Sequence, residues 1–221
     1  MKRMVPVVAA VWSLSAPVMA HEHWMLAEPA APAAGAAVNV SICSGHGFPK
    51  GEILLAERLL DGVALAGPGG VAVAMRPESR DGAWRATVTP PSTGVWRAEF
   101  SLKRPQQDEP IHRSRCLVIA GGKDDAAVYA DGRGIEIVPK SAVSALKPGD
   151  VLPLEIRIDG APTAGKITVM PEKGSVAFLS AAKDRPAELK IAAPGWYLLG
   201  VSHQGRTFTL TFAVAQSGAA P

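Results

Sequence analysis

Basic runs, long apolar segments and the usual catalytic signatures are all scarce in this chain, and each scarcity removes a class of function. Of 221 residues only 19% are charged while 48% are hydrophobic, too apolar and too weakly charged a composition for a disordered chain. The 22 Gly and 19 Pro stay below the low-complexity range, so a folded protein is expected. The length suits one or two domains, each able to bury a core. The formal charge is +3, but Lys2 and Arg3 fall in a segment read below as removable. Taking those two from the 23 basic residues leaves 21 against 20 acidic ones. No basic run or aromatic-interleaved basic stripe remains, which argues against a nucleic-acid partner.

No G-x-S-x-G elbow, H-E-x-x-H helix or C-x-x-C pair occurs, so the common hydrolase, zinc-helix and redox signatures are missing. One near match is Gly160-Ala161-Pro162-Thr163-Ala164-Gly165-Lys166, which has phosphate-loop spacing. Ile167 stands where a magnesium-holding Ser or Thr is needed, and Ile167-Thr168-Val169-Met170 reads as strand rather than helix. A hairpin turn is the better reading.

The first twenty residues read as an address. Lys2 and Arg3 form a positive start, residues 5–14 are mostly apolar, and Val18-Met19-Ala20 resembles a small-residue cleavage site; together these mark a secretory signal peptide over 1–20. The apolar run is shorter than the roughly 20 residues a spanning helix needs, and no second one follows, so no membrane span is expected in the mature chain. Periplasmic export is the expectation. Cleavage after Ala20 would make His21-Glu22-His23-Trp24 the new amino terminus.

Cys43 and Cys116 are the only cysteines, an even pair in a chain sent to an oxidising compartment. They form a candidate disulfide, with buried free thiols or soft metal ligands as the alternatives.

Short strand-type runs recur between Gly, Pro, Asp and Ser: residues 37–43, 71–75, 83–88, 95–102 and 115–119, then 135–138, 151–158, 166–170, 187–191, 196–201 and 207–214. Lengths and spacing of this kind indicate an all-β fold of two immunoglobulin-like β-sandwich domains. The division expected is an N-terminal sandwich over 21–121, a linker over 122–134 rich in Gly and Asp, and a C-terminal sandwich over 135–221. The stretch Pro90-Pro91-Ser92-Thr93-Gly94-Val95-Trp96 echoes Pro194-Gly195-Trp196-Tyr197. Each reads as a Pro-Gly turn into an aromatic strand. Residues 52–60 fit either a helix or a buried strand.

The chemistry-bearing signal is histidine placement. Two of five histidines, His21 and His23, fall in the first three residues after the expected cut. A free α-amine and the His21 ring would chelate one metal, with another histidine completing a three-nitrogen brace. Alternatively, the amine, two deprotonated amides and the His23 ring would supply four nitrogens in a plane, a set that suits Cu(II) and Ni(II). Alternation of Trp24 and Leu26 with Met25 suggests that this end is pinned as an edge strand. His46, between Gly45 and Gly47, is an auxiliary ligand candidate. His112 beside Arg113 and Arg115 is expected to be partly exposed, and His203 to sit at a hairpin tip. Those two and Met25, a soft donor for Cu(I), are secondary metal candidates.

The histidine start with Trp24, Gly45-His46-Gly47-Phe48-Pro49, Ile135-Glu136-Ile137-Val138-Pro139, Lys147-Pro148-Gly149-Asp150 and Pro194-Gly195-Trp196 together resemble the periplasmic nickel/cobalt uptake component family, long filed as a domain of unknown function. The likeness runs in order through nearly all the mature chain. It implies a non-enzymatic exported β-sandwich protein that handles Ni(II) or Co(II), with copper open, beside an inner-membrane metal transporter. His21 and His46 are the matching family positions, while Arg113-Ser114-Arg115-Cys116 departs from the family pattern. Two alternatives accompany this reading: a copper histidine-brace oxidase-type enzyme and a metal-free β-sandwich binding module.

Overall fold

The computed structural model describes residues 22–107 and 109–216; the expected signal peptide and His21 lie outside the described residues. The described chain is all-β, with three short 3-10 turns and no α-helix. The first eight strands are β1 (Glu22–Glu28), β2 (Val38–Gly45), β3 (Leu60–Ala66), β4 (Ala72–Ala74), β5 (Glu78–Arg80), β6 (Ala83–Val88), β7 (Gly94–Leu102) and β8 (His112–Ala120). The second eight are β9 (Ile135–Pro139), β10 (Val151–Ile158), β11 (Ala161–Thr163), β12 (Gly165–Pro171), β13 (Ala177–Ala181), β14 (Ala187–Lys190), β15 (Gly195–His203) and β16 (Arg206–Val214).

Two sandwiches form, and they share a sheet. A four-stranded sheet β1-β2-β6-β5 and a second built on β10, with β9, β11 and β14, flank an eight-stranded sheet ordered β13-β12-β15-β16-β8-β7-β3-β4. At its centre β16 and β8 pair in parallel, Thr207 opposite His112 through Thr211 opposite Cys116. Every other strand pair among the described residues is antiparallel.

Side-chain alternation then sends the two halves of this sheet to two cores. On β8, Cys116, Val118 and Ala120 pack with Met25, Val40 and Phe100 under the first flanking sheet. Leu117 and Ile119 of the same strand pack with Ile137, Leu154 and Phe212 under the second. The centre of the long sheet is therefore buried on both faces, which is why its strands read as nearly continuous apolar runs.

The two halves repeat. Strands β1, β2, β6, β7 and β8 correspond in order and pairing to β9, β10, β14, β15 and β16, and β3-β4 to β12-β13. The echoed turns bear this out at the backbone: Gly94 opens β7 at φ +127° and Gly195 opens β15 at φ +126°. Only glycine holds that region without strain.

Most expected strands stand close to their predicted limits, 83–88 and 151–158 without change. Residues 52–60 form neither helix nor buried strand but lead through a 3-10 turn, Glu57–Leu59, into β3. The phosphate-loop look-alike is a hairpin: Ile158 pairs with Ala161 across Asp159 (φ +48°) and Gly160 (φ +80°), a two-residue turn with both central residues left-handed. Within 122–134, Tyr129 is fully buried in the second core. Its hydroxyl donates to Asp124 and accepts from the Val143 amide.

The candidate disulfide is corrected by this arrangement. Cys43, opposite Trp24 on the first sheet, faces a cluster with Met170 and Leu198, whereas Ile42 beside it faces the core that holds Cys116. The two thiols therefore lie on opposite sides of the first flanking sheet, and both are free. Burial pushes the Cys43 thiol up to about 11 and the Cys116 thiol to about 12, so neither is a ready nucleophile. The native protein is accordingly expected to show no thiol reactive to a disulfide reagent at pH 8, and two after denaturation. Its melting temperature should be the same with and without reductant. Zero thiols in the denatured, unreduced protein would show a bridge instead.

Candidate functional site

The start of β1 is held by side chains from the far half of the molecule. As an edge strand β1 pairs only with β2, so part of its backbone lacks a ladder partner. Thr209 Oγ1 on β16 donates to the His23 carbonyl at 2.7 Å, and Thr211 Oγ1 donates to the Met25 carbonyl at 2.5 Å. These threonines alternate with Phe208, Leu210 and Phe212, which enter the other core. The edge-strand expectation is correct for pairing, yet Trp24 and Met25 are both fully buried.

This docking brings His23 and His112 together. His23 Nδ1 lies 2.9 Å from Oγ of Ser44, its cross-strand partner. The two imidazoles meet edge to face with ring centres 5.1 Å apart. His112 Nε2 is 3.3 Å from Thr209 Oγ1. Thr209 has a single hydroxyl hydrogen, and it is directed to the His23 carbonyl, so at this contact the hydroxyl accepts and His112 carries its proton on Nε2.

His112 corrects the expectation of partial exposure: it is 5% exposed, beside Phe100 at 6.0 Å. The cause is β8's central place in the sheet. Arg113 and Arg115 project to the opposite face, away from the imidazole, which loses the solvation they were expected to signal. Burial, then the neighbouring His23, lowers the His112 pKa to about 3.

Glu22 and His46 form a second pairing at the same end. Glu22 is half-buried; burial raises its carboxyl pKa, and His46 pulls it back down. The loop carrying the exposed His46 is pinned to β1 through Trp24, whose Nε1 donates to the Pro49 carbonyl at 3.3 Å and whose ring meets Phe48 edge to face at 5.7 Å. Glu52 folds over the loop and accepts from the His46 amide at 3.3 Å.

The remaining candidates stand elsewhere. His203 is at the exposed end of β15, opposite Arg206. It shares strand parity with Val201 and Leu199 and so faces the side of the sheet away from His23. Met25 is corrected from soft ligand to core: its side chain packs with Val40 and Ile42. Among the described residues no three His, Cys, Asp or Glu side chains form a metal cluster. The sequence reading missed Glu22, Ser44 and Thr209. Thr209 carried a signal, since Thr207, Thr209 and Thr211 give one polar stripe to an otherwise apolar strand.

The buried imidazole sets a pH dependence. In the unfolded chain His112 takes up a proton below about 6.5, whereas in the fold it stays neutral down to about 3. Its contribution is therefore complete above 6.5 and is lost as pH falls. In that window the metal-free protein should lose about 1.4 kcal/mol of stability per pH unit from this group. Urea denaturation at several pH values measures the slope, and His112→Gln should reduce it by about one proton's worth. An unchanged slope would mean that His112 is protonated in the folded protein.

No curated protein sequence matches the chain. Among solved structures, the D0-D1 domain of intimin is 13% identical, covering 87% of this chain and 97% of its own, with a TM-score of 0.28. FdeC, an Escherichia coli adhesin, is 16% identical over 89% of this chain and 64% of its own, with a TM-score of 0.27. A DUF4785 family protein from Legionella pneumophila is 11% identical over 86% and 54%, with a TM-score of 0.32. Residues 18–205 match DUF4198, a domain of unknown function, and the chain belongs to that family.

Proposed function

We propose that this is an exported, non-enzymatic protein that binds a divalent transition metal at the start of β1. His21 and His23 are the principal ligands, His46 is the auxiliary one, and the ion is passed to an inner-membrane transporter. The observation that carries the reading is the convergence of His23 with His112, and of Glu22 with His46, at one end of a strand anchored from both sandwiches.

The geometry favours one of the two chelation modes. A planar four-nitrogen site would take the Glu22 and His23 amides and the His23 ring. Those residues are paired with Gly45 and Ser44, and the ring is held by Ser44, so that mode would require β1 to peel away. A chelate through the His21 amine and ring leaves the strand intact. Ser44 then plays the orienting part usual for a partner of a metal-bound histidine. The His21 chelate and the His23 ring then form a nitrogen donor set, with His46 as the auxiliary ligand from the loop beside Glu22.

Such a set suits Ni(II), Co(II) and Cu(II), with affinity rising from Co(II) through Ni(II) to Cu(II). Affinity should weaken as pH falls below about 6, because the ligands must be deprotonated. Titration of protein beginning at His21 is the test, repeated with one residue added before His21 and with His46→Ala. The added residue should weaken binding by at least about tenfold, and His46→Ala by less. Unchanged affinity in the extended protein would overturn the terminal site.

A further inference from the structure

Edge strands present unpaired backbone groups, and proteins blunt them with short length, charge, proline or cover. Here β5 is Glu78-Ser79-Arg80, β11 carries Pro162, and β14 alternates Glu188 with Lys190. β4 is three residues long with Arg76-Pro77 just beyond it. β1 and β9 lie against β16. The end strand of the eight-stranded sheet, β13, has none of these protections. Residues 175–182 hold no charge and no proline. Val176 is 48% exposed and Phe178 is 68% exposed.

The phase of the sheet fixes which groups of β13 face outward. Gln204 and Gly205, at φ +48° and +76°, make a two-residue turn that closes on His203 opposite Arg206, so that pair exchanges both hydrogen bonds. Counting by twos along β15 turns the backbone groups of Leu198 and Gly200 towards β12, and the bond from the Glu172 amide to the Trp196 carbonyl agrees. On β12, Ile167 and Val169 then bond towards β13, opposite Leu179 and Ala177. The N–H and C=O groups of Val176, Phe178 and Ser180 therefore point out of the sheet. Beyond them the edge is closed, because the Ala182 amide donates to the Arg185 carbonyl at 2.9 Å. Phe178 stands opposite Thr168, and Thr168 opposite Gly200, which places it on the Thr209 face of the sheet.

This edge is complementary to itself. A two-fold axis perpendicular to the sheet keeps each side chain on its own face, so a residue can oppose only one of the same parity. An axis at Phe178 would set Lys173 against Lys183 and Glu172 against Asp184. An axis at Ala177 sets Phe178 against Val176 of the second copy, twice, and removes both like-charge oppositions. Aromatic and β-branched residues make favourable cross-strand pairs. Added foreign strands draw their specificity from pockets for alternate side chains. None of three open clefts on the described surface, of about 610, 520 and 420 Å³, includes a β13 residue. The strip is small, on the order of 200 Å² of exposed side chain per copy. That is well below the roughly 800 Å² per partner of a standard interface, which sets a weak and reversible association.

We infer that β13 pairs antiparallel with β13 of a second copy about a two-fold axis at Ala177, joining two eight-stranded sheets edge to edge. Both copies then present the His23 face on the same side. Sedimentation of protein beginning at His21, with a chelator present to prevent metal bridging, tests this between about 10 µM and about 1 mM. The mean mass should rise from monomer towards dimer over that range. Phe178→Lys should abolish the rise and leave the melting temperature unchanged, because the side chain is exposed. Ala177→Cys should cross-link at least about tenfold faster under mild oxidation than Val151→Cys, since opposed residues at a non-hydrogen-bonded position lie within disulfide reach. Val151 is 47% exposed on the second flanking sheet, away from the axis. Monomer at about 1 mM would overturn the inference and leave the edge to a foreign strand. Association unchanged by Phe178→Lys, or equal cross-linking of the two cysteine variants, would overturn it as well.

Discussion

The parallel pairing of β8 with β16 is the constraint on which the rest of the molecule depends. It fuses the last strands of two repeated halves into one sheet, and it leaves each of those strands with one face in each core. The two flanking sheets bury this parallel pair on both faces, from opposite directions. The topology has an approximate two-fold relation about an axis along these strands. Rotation about that axis exchanges β7-β8 with β15-β16 and turns the sheet over. This is why the first flanking sheet lies on one face and the second on the other.

That relation also explains where the polar chemistry collects. The first strand of each half is tied to the last strand of the other half by polar side chains. Thr209 and Thr211 of β16 hold the carbonyls of β1. Arg115 of β8 holds Glu136 of β9. The equivalent seams have diverged, one into hydroxyl and imidazole groups and the other into a guanidinium and carboxylate cluster. The buried ion cluster is not evidence of added stability, because desolvation offsets much of its attraction. Its consequence is positional: it ties Tyr129 and the turn that begins at Asp131 to β8 and β9.

Strand existence was legible because alternation and turn chemistry are local. Trp84, Ala86 and Val88 against Arg85 and Thr87 mark a half-buried strand without reference to anything distant, and Asp159-Gly160 marks its turn by itself. The strands not anticipated, β3, β5, β11 and β13, are short, outer or exposed, and β3 carries a register shift between Asp61 and Ala64. Edge positions supply little periodic burial, so they leave little periodic signal. The site was half legible. Crowding of His21 and His23 is a sequence fact, and Gly45-His46-Gly47-Phe48-Pro49 reads as a constrained loop. The partnership of His23 with His112 was not legible, because 89 residues separate them in sequence and only the packing of β1 against β8 and β16 brings them together.

His112 shows how the core and the proposed metal centre are linked. A leucine beside Phe100 would fill the same space with no loss of stability in acid, whereas a buried imidazole is destabilising wherever the unfolded chain can take up a proton. What the imidazole adds is directional. Its Nε2 hydrogen engages Thr209, whose own hydrogen is then committed to the His23 carbonyl, so a single chain of donors runs from β8 through β16 to β1. Polar chains of this kind specify one arrangement when every member is satisfied. The arrangement specified here is the position of the first strand's backbone, and with it the place where the chain's histidine-bearing start must emerge.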